Sequence, residues 1–123
     1  MKTVRFTSDE LNERVRCVIM NARPTMENRI TKEEIAVKIF GRYTTSIDRK
    51  IRDAVTELVM ESDSPICATS DTPGYYIARN LAEAEPCIRE LTSRAKVYFE
   101  KIKGIKRALA QLPDNPVQMG LGL

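Results

Sequence analysis

Residues 30–78 read ITKEEIAVKIFGRYTTSIDRKIRDAVTELVMESDSPICATSDTPGYYIA, and this stretch decides the fold. It divides into a helix, a tight turn, an arginine-bearing helix and a β-hairpin. Thr31-Lys32-Glu33-Glu34 is a capping box: the Thr31 hydroxyl serves the Glu34 amide while the Glu34 side chain reaches back. Ile30 and Ile35 stand at staple positions, and Ile35, Ala36, Ile39 and Phe40 form an apolar face. Gly41 is the stop, since glycine takes the left-handed conformation a helix end asks for. The next helix is expected to start after Thr45 or Ser46, both good N-caps. Ile47, Ile51, Ala54, Val55 and Leu58 recur at helical spacing, with Arg49, Arg52, Asp53 and Thr56 opposite and Lys50 at the edge. Pro65-Ile66-Cys67-Ala68-Thr69 predicts a strand, Ser70 to Gly74 a turn, and Tyr75-Tyr76-Ile77-Ala78 the return strand.

Upstream, Thr7-Ser8-Asp9-Glu10 repeats the capping box, with Phe6 and Leu11 as its staple. Leu11, Val15, Val18, Ile19 and Ala22 then line a first helix that ends before Pro24. Downstream of Asn80 one long helical pattern follows. Leu81, Ile88, Ala95, Ile102 and Leu109 recur every seven residues, as do Ala84, Leu91, Tyr98, Ile105 and Leu112 three positions on, which is an a/d heptad seam. Pro86 fits only a first turn, so the regular helix is expected to begin near Glu85. Pro113-Asp114-Asn115-Pro116 breaks the pattern. The expected organisation is therefore a helix-turn-helix domain over 1–80, a long helix over 81–112 and a tail over 113–123. The expected fold class is mainly α with a small β-hairpin wing: a winged helix followed by a long C-terminal helix.

Arg49-Lys50-Ile51-Arg52-x-x-Val55-x-x-Leu58, leading into Pro65-Ile66 and then Gly74-Tyr75-Tyr76-Ile77-Ala78, resembles the winged-helix DNA-binding domains of the biotin-repressor type and their phage relatives. The resemblance covers about residues 8–95. It implies that the second helix of the helix-turn-helix enters the DNA major groove. It also implies that residues 29–31 add a very short third strand to the wing, and that the source is a phage or a bacterium. The tail Gln118-Met119-Gly120-Leu121-Gly122-Leu123 is similar to the peptide by which bacterial polymerases and repair proteins dock on the sliding clamp. That likeness implies a clamp contact through Gln118, Met119, Leu121 and Leu123, with Met119 where the family usually has leucine.

At 123 residues the chain has the length of one modest folded domain. It shows no apolar run long enough for a bilayer and no signal-peptide pattern, so a cytoplasmic protein without a membrane partner is expected. The three cysteines, Cys17, Cys67 and Cys87, lack CxxC spacing and read as small core hydrophobes rather than as a disulfide framework or a metal site. There is no histidine, which removes the commonest general base and metal ligand together, and the five glycines are too scattered for a phosphate loop. Glu33 and Glu34 diverge as helix neighbours and do not make an acid/base pair. No catalysis, cofactor or metal is expected.

The net charge of +3 is unevenly spread. Residues 42–52 carry Arg42, Arg49, Lys50 and Arg52 against Asp48; residues 94–107 carry six cations against Glu100; residues 62–93 carry a net negative charge. Two basic islands around an acidic segment suit nucleic acid, and they also suit two solvated helix faces. The expected DNA-binding residues are Arg42, Thr44, Thr45, Ser46, Arg49, Lys50 and Arg52. Arg49 is the first choice for a base contact and Arg52 the second, because a guanidinium reads guanine bidentately. Against this, Thr45 or Ser46 is needed as a cap whatever the ligand, and Asp48 is placed to pair with Arg52 at i, i+4. The hairpin tip carries no lysine or arginine, so only a weak wing contact is expected. Dimerisation is expected through Ile88, Leu91, Ala95, Tyr98, Ile102, Ile105 and Leu109, in parallel, antiparallel or partly intramolecular arrangement. The expected function is a non-catalytic, dimeric duplex-DNA-binding protein of transcription regulation or replication. The alternative is an interaction module that docks on the sliding clamp.

Overall fold

The computed structural model describes residues 5–113. The elements run α1 (Ser8–Ala22), α2 (Lys32–Phe40), α3 (Thr45–Glu61), β1 (Ile66–Thr69), β2 (Thr72–Ile77) and α4 (Leu81–Ala110). This is the mainly helical winged helix expected, with its hairpin and long final helix. Two compact units result, the first ending at Cys87 and the second beginning at Ile88.

Both capping boxes form. The Glu10 amide donates to Thr7 Oγ1 at 3.1 Å and the Thr7 amide to Glu10 Oε1 at 2.9 Å; Thr31 and Glu34 repeat the pattern at 3.1 and 3.0 Å. Gly41 ends α2 in the left-handed region, at φ +75°. The start of α3 corrects the expected cap. Thr44, not Thr45 or Ser46, is the N-cap, its Oγ1 accepting from the Ile47 amide at 3.1 Å. Thr44 is extended (φ −136°, ψ 167°), as a cap must be, so Thr45 and Ser46 already lie inside the first turn.

Leu11, Val15 and Ile19 of α1 close over Ile35 and Ala36 of α2 and over Ile47, Ile51, Ala54, Val55 and Leu58 of α3, with Ile30 and Ile66 completing the core. Each is the apolar position its helix repeats every three or four residues, so the 3.6-residue period is what brings the three faces together. Burying each such side chain contributes about 1.5–3 kcal/mol. Phe6 meets Phe40 edge to face, with centroids 5.6 Å apart, and seals the core beside the α1 staple.

β1 and β2 pair antiparallel, Ile66 with Ile77 and Cys67 with Tyr76, with a register irregularity before Thr69 meets Thr72. The turn is shorter than expected: β2 already begins at Thr72, and Gly74 sits within the strand rather than in the turn. The third strand is a single bridge. Ile30 and Tyr75 exchange both backbone hydrogen bonds, at 3.0 and 2.8 Å. Gly74 permits this approach, because a Cβ there would lie 2.9 Å from Arg29 Cβ and 3.0 Å from the Ile30 carbonyl oxygen, and its φ is +105°.

A second buried cluster, Cys67, Tyr76 and Ala78, packs against Met26, Ala84 and Cys87 and seats the start of α4. The fully buried Tyr76 donates its hydroxyl to the Glu83 carbonyl at 2.6 Å, and Asn80 Oδ1 caps the helix by accepting from the Glu83 amide at 3.0 Å. These anchors start α4 at Leu81, earlier than the expected Glu85, and leave Pro86 as its sixth residue. They offset the hydrogen bond that proline cannot donate. Of the cysteines only Cys67 is buried; Cys17 is exposed, which corrects its reading as a core residue. The second unit, taken alone, is the rest of α4, and no residue of α4 is fully buried. No described helix is long and apolar enough to cross a membrane.

Candidate nucleic-acid interface

The turn after Gly41 and the first two turns of α3 bring Arg42, Tyr43, Thr44, Thr45, Ser46, Arg49, Lys50 and Arg52 to the surface. Ile47 and Ile51 face inward, so a 100° step per residue turns Arg49 directly outward, with Thr45 and Arg52 on one flank and Ser46 and Lys50 on the other. Lys50 borders a small cleft with Phe6, Thr7 and Ser8 at the start of α1. Arg49 and Lys50 therefore point in different directions. Arg42, Arg49 and Lys50 form no ion pair among the described residues.

Asp48 organises this surface. Its Oδ1 accepts from the Tyr43 hydroxyl and from Lys32 Nζ at 3.0 Å, while its Oδ2 takes Arg52 Nε at 3.1 Å. The Tyr43 hydrogen bond, with Lys32 and Arg52 behind it, holds the carboxyl below its ordinary range against the opposing effect of desolvation. The same contact pushes the Tyr43 phenol up. Asp48 thus links the start of α2, the turn and α3. An acid that counted against nucleic-acid binding in the sequence is half-buried and has its charge balanced by two cations. Arg52 is accordingly a held side chain, while Arg49 is unencumbered.

Negative charge follows along α3 in Asp53, Glu57 and Glu61, although Glu57 accepts from Asn12 Nδ2 of α1 at 2.6 Å. The interface-like surface is therefore the N-terminal half of the helix. The hairpin tip offers Ser70, Asp71, Thr72 and Pro73 and no cation. The nearest cation, Arg29, is committed elsewhere: it donates to the Met26 carbonyl at 3.0 Å, to Thr69 Oγ1 at 2.7 Å and to the Thr72 carbonyl at 3.1 Å, and lies 4.7 Å from the Tyr76 ring centroid. Arg29 ties together the two strand ends, Thr69 and Thr72, that flank the hairpin turn. Sequence reasoning missed this role and the Lys32–Asp48 link, since both join residues distant along the chain and leave no local pattern.

In the second unit, Arg94 pairs with Glu90 at 3.7 Å and Lys103 with Glu100 at 3.6 Å, and Lys101 lies 5.8 Å from the Tyr98 ring centroid. The expected dimerisation residues Ile88, Leu91, Ala95, Tyr98, Ile102 and Ile105 are exposed and Leu109 is half-buried. Gln118, Met119, Leu121 and Leu123 lie outside the described residues. Among the described residues no group of histidine, cysteine and acidic side chains could hold a metal ion. No family model, curated protein or solved structure matches this chain.

Proposed function

We propose that this chain is a non-catalytic duplex-DNA-binding protein of a phage or bacterial cytoplasm, acting in transcription regulation or replication as a homodimer. One observation carries the reading: the first turns of α3 present Arg49 and Lys50 without ion-pair partners among the described residues, while the Asp48 charge is taken up by Tyr43, Lys32 and Arg52. A helix in the second position of a helix-turn-helix, with free cations at its N-terminal end, suits the major groove. In this reading Arg49 contacts a base, with Arg52 beside it. Arg42, Thr44, Thr45, Ser46 and Lys50 contact phosphates, helped by the positive end of the α3 dipole.

Fluorescence anisotropy on a random duplex over a salt series tests it. Affinity should fall with salt at a slope near −0.9 per phosphate contact. No binding at low salt removes the proposal. Arg49→Ala should cost about 1–3 kcal/mol on a selected site and little on random DNA, whereas Lys50→Ala should weaken both alike. Equal losses for Arg49→Ala on both duplexes would withdraw its base-reading role.

A second reading, an interaction module docking on a sliding clamp, draws on Asp53, Glu57 and Glu61 along the later turns of α3, on a hairpin tip without lysine or arginine and on the Gln118–Leu123 sequence. Its test is whether a peptide of residues 113–123 displaces a polymerase from the clamp.

A further inference from the structure

Within the second unit, Ile88, Leu91, Ala95, Tyr98, Ile102 and Ile105 alternate by three and four residues along one side of α4. Leu91, Tyr98 and Ile105 are 56%, 62% and 60% exposed, too open for core positions at a heptad spacing. The six positions are symmetric about the point between Lys96 and Val97. Reversing the helix about that point lays Ile88 on Ile105, Leu91 on Ile102 and Ala95 on Tyr98, and then repeats the three layers in the opposite order. We propose that residues 88–105 of two copies of this chain pair antiparallel, with the two-fold axis between Lys96 and Val97. The proposal rests on the homodimer named above and adds its direction and register.

Side-chain size decides between the two directions. In a parallel pair Ala95 faces Ala95 and Tyr98 faces Tyr98 in adjacent layers, one leaving a void and the next crowding two rings. Interiors tolerate neither well, since cavities and overpacking both destabilise. In the antiparallel pair both central layers join one alanine to one tyrosine, and the outer layers join aliphatic residues of matched size. Volume is then even along the seam.

The flanking charges are frustrated either way, and they report direction. A parallel pair sets Lys101 against Lys106 of the second copy, on both sides of the seam. The antiparallel pair separates those lysines and sets Arg94 against Lys101 of the second copy instead. Arg94 is 62% exposed, and its pairing with Glu90 at 3.7 Å is a surface contact, so changing it leaves packing untouched.

Sedimentation equilibrium of the full chain without DNA tests the proposal, with circular dichroism checking that each variant is folded. The wild-type chain should be a dimer that Leu91→Glu converts to monomer. Arg94→Glu, facing Lys101 of the second copy twice, should tighten the dimer by about fivefold. Lys106→Glu, with no seam cation opposite, should not tighten it. A wild-type monomer at the highest soluble concentration overturns the proposal, as does any dimer that Arg94→Glu fails to tighten or that Lys106→Glu tightens. None of these measurements involves DNA. Failure here with duplex binding intact therefore rejects the pairing alone, and loss of duplex binding with the dimer intact rejects only the DNA reading.

Discussion

Single atoms decide much at Gly74 and Asp48. At Gly74 a methyl group meets backbone as well as the Arg29 Cβ, and the φ of +105° is costly for any L side chain. Gly74→Ala should therefore lower stability by about 2–3 kcal/mol in urea denaturation, by straining β2 and parting Tyr75 from Ile30. Asp48 makes a pH prediction with a definite sign. Its folded carboxyl titrates below the ordinary 3.8, so its contribution is fully present above that value and is lost as pH falls through the folded pKa. Asp48→Asn should lower the melting temperature near neutral pH, and the gap to wild type should narrow in acid. A gap that stays constant from neutral pH down to acid would show that the carboxylate charge is not what matters.

At the scale of an element, the cap of α3 separates structure from ligand contact. Thr44→Ala removes the acceptor for the Ile47 amide and should cost about 1 kcal/mol of stability. Ser46→Ala touches no cap and should leave stability nearly unchanged while weakening duplex binding. Equal destabilisation by both would place the cap elsewhere. Elements with local signatures were legible in the sequence: the Thr7 and Thr31 capping boxes, Gly41, and the apolar repeats of α1, α2 and α3. Three features were less so. Thr44, Thr45 and Ser46 are chemically near-equivalent caps, and only the backbone turn at Thr44 selects among them. Gly74 reads as turn chemistry because its real constraint, the approach of Ile30, comes from a segment more than forty residues earlier. Pro86 argues for a late helix start, yet Asn80, Tyr76 and Glu83 hold the helix from Leu81 through contacts across the fold. Of the candidate site, the residue types were visible. The commitment of Arg52 to Asp48 was half visible through its i, i+4 spacing, and the part played by Lys32 was not.

For the whole molecule, formal charge is a poor guide to what a polyanion meets. Arg29 is spent on the strand ends beside the hairpin turn, and Arg52, Arg79, Arg94 and Lys103 pair with neighbouring acids. If Arg42 and Lys50 make the charged phosphate contacts, each winged helix should show a salt slope of about −2, and each cation removed should flatten it by about 1. A slope unchanged by Arg42→Ala and Lys50→Ala together would move the contact surface away from α3. The buried cluster beneath α4 offers a different kind of readout. Burial, with Cys87 beside it, pushes the Cys67 thiol up to about 11, so the thiolate that alkylating reagents attack is scarce at neutral pH. Cys17, exposed on α1, and the half-buried Cys87 will react before it and can both be replaced by serine. The slow labelling that remains at Cys67 then becomes a clock for breathing of the hairpin against the start of α4, a native stopwatch that needs no introduced probe.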